Sequence, residues 1–272
     1  MTFPGNCKER VKLMKVERKC KIASKQIMGD AVYMVLEVGD MVRTTFKNPG
    51  QFIHIQCGEG HLLRRPISVC SCMIEDDFTD LVAIVFEIRG EGTEWLAKRE
   101  VGDEVDVLGL AGNGFPIKTE GRYLLVGGGI GVPPMLGCAR RTFGQSTAVL
   151  GFRSRNKAIL LKGFEDACAK VMLATDDGSM GYHGFVDALV RQELEQDRAY
   201  DGVLACGPKP MLRSVAKVAD EFGIPCLVSM EERMGCGVGA CLVCACDMAD
   251  GSRKHVCKDG PVFDAKEVDW NA

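Results

Sequence analysis

Tyr123–Phe143 reads YLLVGGGIGVPPMLGCARRTF. An apolar run meets three consecutive glycines, and a helix-like stretch follows: a buried strand, a tight turn and a helix in that order. The same alternation continues downstream. STAVLGF, KVMLATD, GVLACG and IPCLVSM read as strands, and AILLKGFEDACAK, FVDALVRQELEQ and PMLRSVAKVADEFG as the helices between them. Strands alternating with helices predict a parallel sheet covered on both faces. Ligands of such sheets bind at the carboxyl ends of the strands.

The glycine turn has the context of a phosphate loop, because it leaves a strand and opens a helix whose N-terminus would receive a pyrophosphate. Gly129-x-Gly131 supplies the tight turn and close backbone approach, but Pro134 stands where the G-x-G-x-x-G fingerprint wants a third glycine. The plainer alternative is a tight strand–helix turn. Cys206-Gly207-Pro208, at the end of another strand, strengthens the functional reading, since both turns would converge on one crevice above the sheet. At the end of the second strand, Gly151-Phe152-Arg153-Ser154-Arg155 is basic where an acid would hold the ribose of NAD. Either these arginines favour a 2′-phosphate, as in NADP, or they form a solvated loop.

Upstream the character is different. Ala31–Val38, Gln51–Cys57, Leu81–Ile88 and Glu104–Leu110 read as short strands separated by turn residues, with one helix, GTEWLAKRE, starting near Thr93 as its N-cap. Strand-rich sequence with little helix predicts a small antiparallel barrel over about Lys12 to Ile117, after a short tail, Met1 to Arg10. Downstream of the sheet, Glu231–Ala272 has little periodicity and is too short for an ordinary core.

The chain has 272 residues, 46% of them hydrophobic and 26% charged, with a formal net charge of -3. This composition excludes a disordered chain and argues against a basic nucleic-acid binder. No apolar run approaches the roughly 20 residues that span a bilayer, and the charged N-terminus does not suit a signal peptide. The expectation is a cytoplasmic protein without nucleic-acid or membrane partners.

Cysteine is the unusual component, at 14 residues. In GCGVGACLVCACDMADGSRKHVC, Cys236, Cys241 and Cys244 follow C-x4-C-x2-C, and Cys257 comes after a polar excursion. This is the plant-type [2Fe–2S] spacing. Gly235, Gly237 and Gly239 would let the backbone pass close to the sulfides, with the positive φ values this often requires and N–H groups free to donate to sulfur. The alternative is structural zinc held by four cysteines, which usually comes as two C-x2-C knuckles, and only one is present. Cys246 fits neither count and reads as a spare buried thiol.

Arg64-Arg65-Pro66-Ile67-Ser68 and Arg89-Gly90-Glu91-Gly92-Thr93 complete the pattern. An arginine can neutralise a phosphate bidentately, and a serine can bond a flavin edge. By spacing alone each is a turn. Their combination with a nicotinamide loop and an iron cluster favours a flavin, because a hydride carrier delivers two electrons, a cluster accepts one, and a flavin can divide the pair.

In this order R-P-I-S, G-E-G-T, G-G-G-I-G-V-P-P-M and C-G-P resemble the ferredoxin–NADP reductase superfamily. The tail M-E-E-R-M-G-C-G-V-G-A-C-L-V-C-A-C, followed by H-V-C-K-D-G-P-V-F, is similar to that of the electron-transfer subunits of the bacterial, NAD-dependent (class 1B) dihydroorotate dehydrogenases. The resemblance runs from about Lys12 to Trp270. It implies a ferredoxin-reductase-like α/β fold with a β-barrel: an N-terminal antiparallel FAD-binding barrel over 12–117, a parallel-sheet NAD-binding domain over 118–225 and a small C-terminal iron–sulfur domain over 226–272. By that resemblance Arg65, Pro66, Ile67 and Ser68 would hold FAD, Val85, Phe86 and Glu87 would line it, and Gly92 and Thr93 would meet its pyrophosphate. Gly129, Gly131, Gly207 and Pro208 would approach NAD, the substrate, with Cys206 near the nicotinamide as the catalytic-site residue. Cys236, Cys241, Cys244 and Cys257 would bind the [2Fe–2S] cluster.

The family works with an FMN-containing catalytic subunit, two of each in a heterotetramer. Electrons pass from dihydroorotate through FMN, the cluster and FAD to NAD, in pyrimidine (UMP) biosynthesis. The nearest alternatives are an NAD(P)H–ferredoxin oxidoreductase or a hydrogenase diaphorase subunit, from which the tail motif separates this chain. An oxygenase reductase would need a complete ferredoxin domain, and the segment after Pro225 is too short. A non-catalytic zinc module is the reading from another class.

Overall fold

Among the described residues, six antiparallel strands close into a barrel. They are β1 (Val16–Met28), β2 (Ala31–Gly39), β3 (Phe52–Gln56), β4 (Arg65–Ile74), β5 (Asp80–Glu87) and β6 (Glu104–Ala111), ordered β1-β2-β5-β4-β3-β6 around the wall. The structure, a computed structural model, describes residues 16–76 and 78–272. The tail Met1–Arg10 and the expected barrel start at Lys12 lie outside the described residues.

Two wall strands, β1 and β4, are absent from the sequence reading. In β1 the alternation is carried by small and charged residues: Cys20 and Ile22 are buried while Lys19 and Lys21 are exposed. In β4 the run is broken by Pro66, Ser68 and Ser71, and the proline is tolerated because it stands at the strand's first turn of pairing. The interior is filled by Ile22, Met34, Leu36, Ile53, Ile55 and Ile84. Each such side chain contributes about 1.5–3 kcal/mol by leaving water.

Two short helices decorate the barrel, α1 (Met41–Thr45) and α2 (Glu91–Ala97). The N-cap of α2 is Gly90, not Thr93. Thr93 is the third helical residue, and its hydroxyl reaches back to accept from the N–H groups of Arg89 at 2.9 Å and Gly90 at 3.2 Å. This is the return half of a capping box, which sequence reading misplaced by one turn because glycine offers no capping side chain.

The second half is the alternating unit. It runs β7 (Tyr123–Gly128), α3 (Val132–Arg141), β8 (Thr147–Phe152), α4 (Leu161–Ala167), β9 (Lys170–Thr175), β10 (Tyr182–His183), α5 (Val186–Gln196), β11 (Gly202–Cys206), α6 (Lys209–Glu221) and β12 (Cys226–Ser229). After β7 the chain winds outward through β8 and β9, then returns to the other side of β7 with β11. The crevice at the carboxyl ends of β7 and β11 is therefore a topological switch point, where open α/β sheets bind ligands.

The tail adds β13 (Ala245–Asp247), β14 (Arg253–His255) and β15 (Val262–Asp264). β15 pairs antiparallel with β12, so the parallel sheet ends in an antiparallel edge strand. β12 itself pairs in parallel with β11, and the sheet thus crosses the expected division at residue 225. Cys244, Cys257, Val256 and Phe263 share one apolar core with Leu124, Val203 and Val228 of the sheet. The tail solves its shortage of core by joining its neighbour's. No helix among the described residues is long and apolar enough to cross a membrane.

Candidate functional site

The loop after β12 and the turn after β14 bring Cys236, Cys241, Cys244 and Cys257 together through N–H···S bonds. Cys236 N–H donates to Cys241 Sγ at 3.3 Å, and Cys257 N–H to Cys244 Sγ at 3.4 Å. The thiols thus form two pairs, and Gly239 N–H, donating to Cys257 Sγ at 3.1 Å, links one pair to the other. Cys236 Sγ also accepts from Val238, Ala240 and Cys241 at 3.4, 3.2 and 3.4 Å. Burial pushes this thiol up, but the N–H groups of Val238, Cys241 and Ala240 outweigh it and bring it down to about 6. A loop that favours the Cys236 thiolate in this way fits a metal–sulfur centre, and two pairs of thiols suit two irons.

The glycines divide the work unequally. Gly237 and Gly239 have φ of 65° and 79°, which favours glycine, whereas Gly235 does not. Gly235 is needed for space: a Cβ there would stand 3.1 Å from Cys241 Sγ. Cys246, on β13, is buried and takes part in none of the N–H···S bonds given above, and burial pushes its thiol up. The loop is exposed at its apex. Cys241 is exposed, and around it Val238, Leu242 and Val243 are 40%, 62% and 56% exposed.

The tail is fastened to the barrel as well as to the sheet. Asn113, just past β6, donates its backbone N–H to Gly260 O at 2.6 Å and its side-chain amide to Lys258 O at 3.1 Å.

At the switch point, Gly129–Gly131 forms a single 3-10 turn between β7 and α3. Pro133 and Pro134 stand in the first turn of α3, where a missing N–H costs no hydrogen bond; this accounts for proline at the third fingerprint position. Gly131 touches the other strand end, since a Cβ on it would lie 2.4 Å from Cys206 O. Sequence reading missed Met211 of α6, which packs beneath both turns: Cβ atoms on Gly128 and Gly207 would meet its Sδ and Cε at 2.4 and 2.6 Å. Pro208 precedes α6 and is exposed. Cys206 ends β11 and is buried; burial pushes its thiol up to about 12, so it is a neutral thiol and no nucleophile.

Arg153 and Arg155 are exposed at the end of β8. The neighbouring strand end supplies the acid that the sequence lacks locally. Asp177 donates its N–H to Arg153 O at 3.3 Å, and Ser179, which donates to Asp177 Oδ1 at 2.6 Å, accepts from Arg155 N–H at 2.8 Å. Asp176 and Asp177 are both exposed beside the arginines, so this end of the crevice is not a purely basic pocket.

On the barrel, Arg64 is a wall residue, paired with Asp106 Oδ1 at 2.7 Å and with Glu17. Arg65 differs. Its guanidinium lies against the first turn of α2, where a Cβ on Gly92 would come 2.6 Å from Nε. A bare glycine, an arginine and the N–H groups of a helix start fit a pyrophosphate. β4 alternates in the usual way: Ile67 points into the barrel core, and Ser68 faces out, opposite Phe52 in the register. Along β5, Val85 packs against the nucleotide half and Phe86 into the barrel interior. The two cannot both line one ligand with their side chains, because successive residues of a strand face opposite ways. Glu87 is paired with Arg89 at 2.7 Å.

Comparisons with known proteins agree with this arrangement. The model of the iron–sulfur cluster binding domain of dihydroorotate dehydrogenase B matches residues 231–269. The dihydroorotate dehydrogenase B (NAD(+)) electron transfer subunit of Geobacillus thermodenitrificans is 40% identical over 258 residues, covering 91% of this chain and 96% of that protein. A chain of the NADH-dependent reduced ferredoxin-NADP oxidoreductase superposes with a TM-score of 0.82 at 30% identity, over 93% of this chain and 90% of that one. A ferredoxin NADP+ reductase from Neisseria gonorrhoeae, with bound FAD and NADP, shares the fold at a TM-score of 0.60 and 17% identity, over 76% and 92% of the two chains. The chain belongs to the family of dihydroorotate dehydrogenase B electron transfer subunits.

Proposed function

We propose that this chain carries electrons from an FMN-containing dihydroorotate dehydrogenase catalytic subunit, through a [2Fe–2S] cluster and FAD, to NAD+, in pyrimidine (UMP) biosynthesis. The observation that carries this reading is the loop of paired thiols, joined through backbone N–H groups within the stretch 231–269. When bound, the flavin exchanges electron pairs with nicotinamide and single electrons with the cluster.

The chain's own residues do the holding and shielding. Cys236, Cys241, Cys244 and Cys257 would hold the cluster, as two pairs of thiols. Arg65, with Gly92 and the Thr93-braced turn of α2, would neutralise the flavin pyrophosphate. Pro66, Ile67 and Ser68 would present β4 to the ring system, with the Ser68 hydroxyl available to bond its edge. Val85 supplies an apolar wall, and Phe86 and Glu87 contribute backbone. Gly129, Gly131, Gly207 and Pro208 let the dinucleotide approach, and the neutral Cys206 thiol excludes water beside the nicotinamide. Free thiols in number suit a reducing compartment, which supports a cytoplasmic location.

Anaerobically purified protein is expected to show flavin bands with a broad iron–sulfur envelope. It should reduce artificial acceptors with NADH and leave dihydroorotate untouched until an FMN-containing partner is added. Dihydroorotate oxidation by this chain alone would refute that division of labour. A colourless protein with stoichiometric zinc would remove the reading altogether.

The partner is expected to cover the loop apex. Leu242 holds φ 61°, strained for leucine, with its side chain 62% exposed. Aspartate adopts that conformation more readily, so Leu242→Asp leaves the loop intact. The substitution is expected to weaken the complex with the catalytic subunit about tenfold or more, with NADH–ferricyanide activity unchanged. Titration by analytical ultracentrifugation reads the affinity; unchanged affinity places the interface elsewhere.

A further inference from the structure

β3 has two unlike faces. Ile53 and Ile55 fill the barrel, while Phe52 and His54 point outward. Phe52 belongs to the same core as Cys244 and Cys257. His54, a histidine with no exposed surface, stands edge-on to it, the ring centroids 6.4 Å apart at 88°. Across the strand pair, Phe52 lies opposite Ser68 and His54 opposite Pro66, so these four residues share one face. Over that face runs the thiol loop: a Cβ on Gly237 would come 2.4 Å from His54 Nδ1 and 3.0 Å from Cε1. The imidazole therefore sits flush against the backbone next to Cys236. Cys236 in turn gathers the N–H groups of Val238, Ala240 and Cys241.

We infer that His54 is a positioning residue for the iron–sulfur loop, the side chain through which the flavin-bearing face of the barrel fixes where Gly237 and Cys236 sit. The inference rests on the functional reading above. The ring occupies the space that a side chain at residue 237 would need, and it abuts the strand pair carrying Pro66 and Ser68. An aliphatic residue would fill the volume without the flat edge that the bare backbone of Gly237 packs against.

The test uses the purified holoprotein. Iron, sulfide and FAD per chain, and the electron paramagnetic resonance spectrum after dithionite, are measured for wild type, His54→Ala, His54→Phe, Gly237→Ala and the double variant His54→Ala/Gly237→Ala. Gly237→Ala is expected to lose most of its iron. The double variant should regain a substantial part of it, because the obstructing ring is gone and only the backbone strain at φ 65° remains. His54→Phe and His54→Ala should retain FAD and show a shifted or broadened spectrum, with a several-fold shorter cluster lifetime in air. A double variant with no more iron than Gly237→Ala, or spectra of both His54 variants superposing on wild type, overturns the inference. Should His54→Ala fail to fold, the His54→Phe spectrum alone decides in the same way. Wild-type protein without iron would instead overturn the functional reading, a distinct result.

Discussion

Cys241→Ser is expected to empty the thiol loop of iron while the flavin stays bound. Cys241 is exposed, at the apex of the loop, and its Sγ accepts from Cys236 N–H, so the substitution removes one of two paired thiols without disturbing an apolar core. Altering merely the outer shell of a metal ligand costs about 10–100-fold. Loss of a ligand is expected to cut electron delivery to the catalytic subunit by more than about 100-fold. NADH oxidation with ferricyanide should persist, since Arg65, Gly92 and the switch-point crevice lie on other elements. Cys257→Ser makes the contrast. Cys257 is 1% exposed in the core shared with the sheet, and a hydroxyl there is desolvated among apolar neighbours. This variant should lose iron and also melt at a lower temperature, by several degrees. Iron analysis, flavin absorbance and thermal melts separate the two. Simultaneous loss of FAD from Cys241→Ser would mean that the flavin site depends on the loaded loop.

Gly131→Ala is expected to have the second largest effect, on the other end of the relay. The added Cβ would stand 2.4 Å from Cys206 O, 2.5 Å from Cys206 C and 2.6 Å from Gly207 N. All three are backbone atoms, so no rotamer change relieves the overlap, and the turns after β7 and β11 must part. Overpacking of this kind costs about 1–3 kcal/mol, which corresponds to roughly 5–150-fold in an equilibrium or rate. NADH-driven flavin reduction, followed by stopped flow, should slow about 10–100-fold. Reduction by dithionite and the cluster spectrum should not change. Gly129 is the control. A Cβ there meets open space, and only its φ of 53° opposes alanine. The cost is then about 1–2 kcal/mol, expressed in stability more than in nicotinamide approach. Equal effects at the two positions would place the dinucleotide elsewhere.

The signals that survived from sequence to structure are the local ones. The alternating half is legible because each buried parallel strand is a short apolar run and each helix carries a periodic stripe. The C-x4-C-x2-C run is legible because ligands close in sequence are necessarily close in space. β1 and β4 were not legible: in one, small and charged residues carry the alternation, and in the other Pro66 and two serines interrupt it. Thr93 was misplaced by a turn because glycine can occupy an N-cap without announcing it.

Order along the chain was enough for the class of fold and the family, since strand–helix alternation and the succession of motifs are written in consecutive segments, and it brought out the spacing of the four thiols. Three things came only from the folded chain. Asp177 reaches the arginines of the β8 loop because β9 is its parallel neighbour. The tail lacks a core of its own and borrows the sheet's through β15. His54 meets Gly237, far along the chain, because β3 turns its outer face to the loop. All three are contacts between distant segments, and such contacts are decided by strand register and by which face of a strand is already filled.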